Sequence, residues 1–448
     1  MFIPSTADRL LLKFAPDFSK PTYARWVVLV VAAILTTGRR TVTNLLRTVG
    51  GFAKGHASSY HRVLSRRKWA KWSMARTLTA FILDTFVDSG PVMLAVDDTV
   101  DEHRGKTVYG KGCHRDAVRS THSYTAFRWG HKWVVLAVLI RFPFATRSWA
   151  LPILVALYCS PQWSKDHGRR HRTPTALARA LVSVLLRWFP ERKFHLAGDG
   201  GFASHEFARF ASRRSGLLAL VSRFHGDAKL HNPAPARVKT NKAGRPKIRG
   251  SRLPLPKNVV KKSKRTKLKV KWYGGGNRRV SVVSQVGHWY RGGEGLVAVR
   301  WVHVRDLTGT HREEYFFSTD PSMTPQQIIE IYTQRWSIEV TFQDMRSSLG
   351  LETTRGRTEN TVLRAAPGLF GLYSIVAILF AQLPQPQKRA GRVDWVGKQD
   401  VSFSDALRSV RRSLWQEAIV ESPLHAMSFN NLPARLRETI LSAMTPAA

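Results

Sequence analysis

Short apolar runs between residues 92 and 221 constrain the fold of this chain more than any other feature of its sequence. An amphipathic segment at residues 173–189, typical of a helix, interrupts a series of strand-like runs. These runs lie at residues 92–100, 133–140, 149–158, 194–197 and 217–221. Strands followed by a helix and then by further strands predict an α/β fold with a mixed sheet covered by helices.

The charge balance indicates a polyanionic partner. Lysine and arginine number 71 against 30 acidic residues, which gives a formal net charge of +41. Solubility alone explains this excess poorly, because self-repulsion penalises the compact state unless a polyanion neutralises it. We expect nucleic acid, and not a membrane, as the partner.

Cysteine usage and the remaining apolar segments argue against export and membrane insertion. Cys113 and Cys159 are the only cysteines and form no CxxC pair, which favours a reducing compartment. The first residues lack the ordered regions of a signal peptide. The apolar run at residues 365–383 is interrupted by Pro367 and Gly368, so we expect a buried core helix there. These features predict a cytoplasmic protein.

Residues 20–88 have helical spacing and contain a candidate DNA-binding motif. Residues 41–48, the turn at 49–51 and the basic segment 56–69 follow the order helix, turn, basic helix. This order suits a helix-turn-helix whose second helix carries Arg62 and Arg66 toward DNA. A helical bundle with a solvated basic face has the same pattern, and the sequence leaves both interpretations open.

The composition changes sharply between residues 225 and 279. This stretch has 18 lysines and arginines against one acid, Asp227, and no periodicity, so we expect no compact core strand in it. Strand-like runs follow at residues 280–286, 296–304 and 313–318. Together they predict a basic, β-rich insertion within the α/β domain.

A long helix is predicted at residues 325–349. Thr324 precedes Pro325 and lies three residues before Gln327, which is a capping-box pattern, and Gly350 closes the other end. At about 100° per residue, Tyr332, Arg335, Glu339 and Arg346 fall within an arc of roughly 60°. The four side chains therefore share one helix face.

Glu339 with arginines on its own face could simply form surface salt bridges. Two further acids, Asp98 and Asp199, change the balance because each lies at the end of a predicted buried strand, where α/β sheets present functional side chains. Acids gathered in this way can bridge two divalent ions, Mg²⁺ or Mn²⁺, that activate a water or a sugar hydroxyl against a phosphodiester.

The motif Tyr332-x2-Arg335-x3-Glu339-x6-Arg346 resembles the YREK signature of bacterial insertion-sequence DDE transposases, with arginine in place of the final lysine. The segments AVDDTV and HLAGDGGFAS resemble the strands that carry the two aspartates of that family, and the likeness spans roughly residues 90–380. The resemblance implies an RNase H-like fold in which Asp98, Asp199 and Glu339 ligate two metal ions. It also implies that Tyr332, Arg335 and Arg346 contact DNA phosphates.

The first aspartate is ambiguous, because adjacent strand residues point to opposite faces and only one of Asp97 and Asp98 can enter the site. The family places its aspartate directly before threonine, which favours Asp98 before Thr99.

The expected domain organisation follows this interpretation. Its parts are a helical DNA-binding region (1–88), the first part of an RNase H-like catalytic core (89–224), the basic insertion (225–320), the second part of the core with the Glu339 helix (321–383) and a C-terminal helical region (384–448).

Weaker signals concern DNA contacts. Gly244-Arg245-Pro246-Lys247 resembles an AT-hook core, although a flexible basic loop that follows phosphates without base preference is the favoured interpretation. Trp272 and Trp289 could stack on an extruded base, with core packing as the default for both.

Four histidines, His103, His114, His122 and His131, have spacings that match no compact zinc site. We therefore interpret them, together with the neighbouring arginines and lysines, as contacts to phosphates beside Asp98.

The sequence thus predicts a transposase that cleaves the ends of a transposon and joins them to target DNA. Its expected partner is double-stranded DNA, on which it forms a homodimer. The alternatives are an endonuclease of the same fold without strand transfer and a non-catalytic regulator derived from a transposase.

Overall fold

The computed structural model describes residues 5–116, 119–235, 247–420 and 429–446. Arg245 and most of the AT-hook-like segment lie outside these residues. The remaining member, Lys247, is exposed.

One mixed sheet of eleven strands organises the described chain. Its strands are β1 (Val92–Glu102), β2 (Gly112–Arg115), β3 (Phe127–Ile140), β4 (Trp149–Tyr158), β5 (Phe194–Gly198), β6 (Leu218–Arg223), β7 (Leu230–His231), β8 (Thr266–Lys271), β9 (Asn277–Arg291), β10 (Gly295–Asp306) and β11 (Glu314–Ser318).

The first half of the sheet has the order β4-β3-β1-β5-β6. β3 pairs antiparallel with both β1 and β4, whereas β5 is parallel to β1 and β6 is parallel to β5. This order and these directions are those of an RNase H-like sheet, so the predicted fold class is confirmed. β1 is the central strand, and both its neighbours fix its register.

The second half continues the same sheet. β11 pairs with β6 from Phe316 opposite Arg223 to Ser318 opposite Val221, and β10, β9 and β7 follow outward. The strand-like runs predicted at residues 280–286, 296–304 and 313–318 are therefore strands that extend the core sheet.

The expectation that the basic stretch holds no strand is wrong. β8 pairs antiparallel with β9, and its sequence alternates Leu268 and Val270 with exposed lysines. Val270 is buried, so this strand contributes one face to the core. Lysines on the other face are common on edge strands, where they discourage further pairing.

Helices surround the sheet. They are α1 (Ser5–Leu11), α2 (Lys20–Leu35), α3 (Val42–Val49), α4 (Ala57–Ser65), α5 (Lys71–Phe86), α6 (Pro161–Asp166), α7 (Pro174–Trp188), α8 (His205–Ser212), α9 (Pro256–Lys262), α10 (Pro325–Gln334), α11 (Ser337–Ser348), α12 (Glu359–Gln382), α13 (Gln385–Ala390), α14 (Phe403–Val420) and α15 (Ala434–Met444). Short 3₁₀ helices lie at Leu12–Asp17, Gly50–Phe52, Gly200–Phe202, Tyr273–Gly275 and Leu351–Thr353.

α8 and α10 cover opposite faces of the sheet. Leu218 and Leu220 of β6 pack in the cluster that contains the apolar residues of α8, whereas Ala219 and Val221 pack with the isoleucines of α10. The alternation along β6 thus separates two cores. α11 follows α10 and packs on β1 and β4.

The predicted single helix at residues 325–349 is interrupted. Thr324 forms the expected capping box with Gln327, but α10 ends at Gln334 and α11 begins at Ser337. Between them the amide of Arg335 bonds to the carbonyl of Tyr332, a three-residue spacing that tightens the turn to 3₁₀ geometry. The prediction of one continuous α-helix face is therefore wrong at this turn.

The remaining helices agree with the sequence. α3, the 3₁₀ turn and α4 follow the order expected of a helix-turn-helix, and Arg62 and Arg66 are exposed. α12 is long and apolar enough to cross a membrane, but 72% of its most apolar window is buried inside the protein. It packs on β4 and α14, which is the core position predicted for it.

Asp344 of α11 gives the fold a pH-dependent contribution to stability. Its carboxylate lies 3.8 Å from the Arg147 guanidinium and accepts a 3.4 Å hydrogen bond from the Tyr373 hydroxyl. Burial raises the pKa of Asp344 to about 6, although Arg147 lowers it. The folded protein therefore favours the protonated acid, and this stabilising contribution is lost as the pH rises through about 6.

We predict that Asp344→Asn melts at about the same temperature as the wild type at pH 4 and at a higher temperature at pH 8. Asparagine resembles the protonated acid, and the pKa difference corresponds to at most roughly 3 kcal/mol. Thermal melts between these pH values measure the effect, with the exposed Asp84→Asn as control. A gap between wild type and Asp344→Asn that does not change with pH would contradict the argument.

Candidate active site

Asp97 and Asp98 lie in β1 and point to opposite faces of the sheet. The carboxylate of Asp97 accepts a 2.6 Å bond from the guanidinium of Arg335. The carboxylate of Asp98 instead pairs with Lys132 of β3 at 2.9 Å. Strand alternation thus places one acid on the side of α10 and α11 and the other acid on the opposite side.

Arg335 joins the strand to the helix. One terminal nitrogen of its guanidinium bonds to Asp97, and the other bonds to a carboxylate oxygen of Glu339 at 2.7 Å. Only 7% of the Arg335 side chain is exposed, whereas 47% of the Glu339 side chain is exposed. The planar fork of arginine suits two such charge-assisted bonds, which fix two carboxylates relative to each other.

Asp199 follows the end of β5 on the same face as Asp97. In the parallel pairing Ala95 of β1 lies opposite Ala197 of β5, and each acid comes two residues later in the chain, with Asp199 directly after the last residue of β5. The Asp199 side chain caps the next 3₁₀ helix by accepting from the amide of Gly201 at 2.9 Å. The register of β1 and β5 therefore brings these two acids side by side.

Burial and like charge act together on these acids. Burial, aided by the charges of Asp199 and Asp98 and opposed by Arg335, raises the pKa of Asp97 to about 8. Burial also raises the pKa of Asp98; Lys132 opposes that shift, and the charge of Asp199 adds to it. A bound cation would relieve the cost of ionising these two buried aspartates.

The contacts in this structure favour Asp97 as the first acid, and the sequence-based choice of Asp98 stays a prediction. Asp97 is tied to Glu339 through Arg335, whereas Asp98 is ion-paired with Lys132, and the charge of Asp199 acts on both acids. The threonine that suggested Asp98 instead contacts Arg346: the hydroxyl of Thr99 accepts from its guanidinium.

The phosphate contacts expected of the signature residues stay predictions, and the structure shows which protein contacts these residues make. Tyr332 is 1% exposed, and its ring lies 4.2 Å from that of Phe316, so it packs in the core. Arg335 is engaged by carboxylates. Arg346 is 35% exposed, and its guanidinium is 3.5 Å from Glu352 as well as bonded to β1. In this structure these residues hold the helix on the sheet and leave Arg346 alone partly accessible.

The sequence did not single out Trp336, which follows Arg335 and is 38% exposed. Trp272 is buried, and Trp289 packs against Phe224 and Phe317, as the packing interpretation of both predicted. The expectation of a continuous helix gave no reason to single out the tight turn that carries Trp336.

Asp97, Asp199 and Glu339 offer oxygen ligands only, which is the donor set that Mg²⁺ and Mn²⁺ prefer. The raised pKa of Asp97, which burial and neighbouring acids cause, is a cost that a bound divalent cation would relieve, so these residues fit such an ion. The order and directions of its strands define the class of the protein, an RNase H-like fold that carries these three candidate metal ligands.

Comparison with known families agrees with this class. The family model described as DDE superfamily endonuclease matches residues 13–279, more than half of the chain. A second model, described as archaeal putative transposase ISC1217, matches residues 258–364. The chain belongs to the DDE superfamily endonucleases, and DDE transposase families use divalent metal ions.

The chain was also compared with curated proteins and with solved structures. No curated protein matched the chain. A solved structure of a piggyBac transposase synaptic complex with hairpin DNA is similar at 12% sequence identity and a TM-score of 0.40, covering 98% of this chain and 81% of the other.

We predict that Arg335→Gln destabilises the protein, because it leaves Asp97 buried without its cation. Breaking a buried pair costs about 3–5 kcal/mol. Arg335→Lys should recover little of this loss, since a point charge cannot bridge Asp97 and Glu339 together. Denaturant unfolding measures both, with the exposed Arg355→Gln as control. A lysine variant as stable as the wild type would show that the bridge is not needed.

Proposed function

We propose that the protein is a transposase that cleaves the ends of a DNA element and joins them to target DNA. The observation that carries this proposal is the grouping of Asp97 and Asp199 on one sheet face with Glu339, which Arg335 ties to Asp97. The grouping unites acids from distant parts of the sequence in a strongly basic protein, as phosphodiester chemistry requires.

Asp97, Asp199 and Glu339 would hold two divalent cations, Mg²⁺ or Mn²⁺. When bound, such ions activate a water or a 3′ hydroxyl and stabilise the departing oxygen of a phosphodiester. Asp97 binds a cation once it has lost its proton, and Arg335 orients Asp97 and Glu339 toward each other. The half-exposed Glu339 lies where DNA can approach, whereas the buried Arg335 supports it from behind.

A basic pocket beside the end of β1 supports DNA as the partner. Its volume is about 620 Å³. Five cations and one acid line it together with a histidine and two aromatic rings: Arg104, Lys106, Lys111, Arg119, Arg128, Glu102, His103, Phe127 and Trp129. Phe127 and Trp129 are 65% and 58% exposed, and Lys111 lies over the ring of Trp129. Cations interleaved with exposed rings suit phosphates and unstacked bases.

Other parts of the proposal rest on the sequence. The YREK-type signature and the exposed basic helix α4, with Arg62 and Arg66, favour a bacterial insertion-sequence enzyme that binds terminal repeats. We further propose a cytoplasmic, nucleoid-associated location, homodimerisation on DNA and the five-part domain organisation. An endonuclease without strand transfer would need the same acids, whereas a regulator without activity would not need them.

We predict that Asp97→Asn, Asp199→Asn and Glu339→Gln each reduce cleavage at least about a thousand-fold while leaving DNA binding within a few fold. Each change removes a proposed metal ligand without altering the basic surface. Asp98→Asn is the matched control on the adjacent residue and should keep most activity. The assay combines purified protein, Mg²⁺, DNA carrying the ends that flank its gene and a target plasmid.

The products separate the candidate functions. Joined ends support a transposase, cut ends without joining indicate an endonuclease, and bound but intact DNA indicates a regulator. Loss of cleavage in Asp98→Asn with retention in Asp97→Asn would reverse our choice between the two acids.

A further inference from the structure

A second group of possible metal ligands lies on β1 and β3, apart from the three acids of the candidate active site. It consists of Asp101, His103 and His131, whose ligand atoms all lie within 4.8 Å of one another. Asp101 is fully buried, and the histidines are 8% and 1% exposed. Within the described part of the chain, these two histidines are the only basic side chains that pair with Asp101 within 4.0 Å.

The distances fit a small tetrahedral ion. His103 Nε2 lies 3.3 Å from one oxygen of Asp101, and His131 Nδ1 lies 3.6 Å from the other. Bonds of about 2.0–2.1 Å to a tetrahedral Zn²⁺ place neighbouring ligand atoms about 3.3 Å apart. Small side-chain adjustments would therefore complete the coordination.

The hydrogen bonding of His131 leaves the lone pair of its other ring nitrogen facing a carboxylate, an arrangement that a bound cation would satisfy. Its Nε2 lies 2.9 Å from the carbonyl oxygen of Tyr109, and because a carbonyl only accepts, Nε2 carries the hydrogen. In a neutral ring Nδ1 then presents a lone pair to the Asp101 carboxylate, which also only accepts. Nδ1 is buried and has no hydrogen-bond partner.

This pattern is also the one seen in metal-bound histidines. A ligating histidine usually donates its other ring N–H to a carbonyl or a carboxylate, which fixes the tautomer and the ring orientation. The carbonyl of Tyr109 supplies that acceptor for His131.

The backbone is arranged to bring these groups together. Asp101 and His131 are directly opposite in the β1–β3 pairing, and the amide of His131 donates to the Asp101 carboxylate at 3.1 Å. A Cβ atom on Gly130 would lie 1.7 Å from the carbonyl oxygen of Asp101. Only glycine permits this close approach of the two strands.

We infer that Asp101, His103 and His131 bind one zinc ion, with a water or another side chain as fourth ligand. Two imidazole nitrogens with one carboxylate favour Zn²⁺ over Mg²⁺, which prefers oxygen ligands alone. The site is separate from the oxygen-only group of Asp97, Asp199 and Glu339 and does not rest on the proposed function.

The ion would fasten the segment after β1 to the core. His131 bonds to the carbonyl of Tyr109, while the Tyr109 hydroxyl donates to Glu359 at the start of α12. Asp101 is four residues after Asp97 in β1, about 13 Å along the strand and on the same face. Zinc would therefore stabilise the strand end that carries the candidate active site and also borders the basic pocket.

We predict one zinc per chain in the full-length protein after dialysis against a chelator that removes loosely held metal. Elemental analysis measures the content, and thermal melts measure the stability. His103→Gln and His131→Gln should lose the zinc and melt at a lower temperature that added Zn²⁺ does not restore. Glu339→Gln should keep the zinc, which distinguishes this site from the proposed Mg²⁺ site.

His303→Gln is the matched control, since His303 is equally buried and also pairs with a carboxylate, that of Glu313. It should keep its zinc. If the histidine variants fail to fold, Co²⁺ bound to the wild type should show the absorption of tetrahedral nitrogen and oxygen coordination. Three results would each overturn the inference. They are wild-type protein that lacks stoichiometric zinc, wild-type protein that holds iron or manganese in place of zinc, and His131→Gln protein that retains zinc.

Discussion

The double ion pair of Arg335 is the interaction on which the candidate site depends. Without it, Asp97 would be a buried carboxylate among like charges, and Glu339 would be a partly exposed acid on a separate helix. Arg335 is placed to join them by the 3₁₀ turn between α10 and α11. The signature suggested Arg335 as a DNA contact. In this structure its buried side chain holds two proposed metal ligands in place.

Alternate residues of the central strand β1 point to opposite faces of the sheet, so the position of each polar residue decides which partners it meets. Asp97, Thr99 and Asp101 share the face of α10 and α11, where the first is bound by Arg335, the second by Arg346 and the third by histidines. Asp98 lies on the opposite face with Lys132. One strand thus carries a proposed oxygen-ligand site for catalysis and a proposed nitrogen-rich site for stability, separated by about four residues of strand rise.

The spacing of apolar residues predicted the fold, because burying one face of a strand or a helix imposes a regular spacing on the sequence. The strands of the RNase H-like sheet and the helices α3, α4 and α12 were all evident in this way. The edge strand β8 was missed because its lysines masked the alternation of Leu268 and Val270. The sequence alone could not decide between Asp97 and Asp98, because a motif fixes spacing, whereas the face of each side chain depends on strand pairing. The histidines near Asp101 were dismissed on sequence spacing, since only the pairing of β1 and β3 brings His131 to Asp101.

The most direct test of the central claim is a crystal structure grown with Mn²⁺, in which anomalous scattering locates the ions. Our account predicts manganese bound by Asp97 and Asp199, with Glu339 in the coordination sphere and Asp98 still paired with Lys132. Manganese bound by Asp98 in place of Asp97, or the absence of manganese from this sheet face at a saturating concentration, would contradict it.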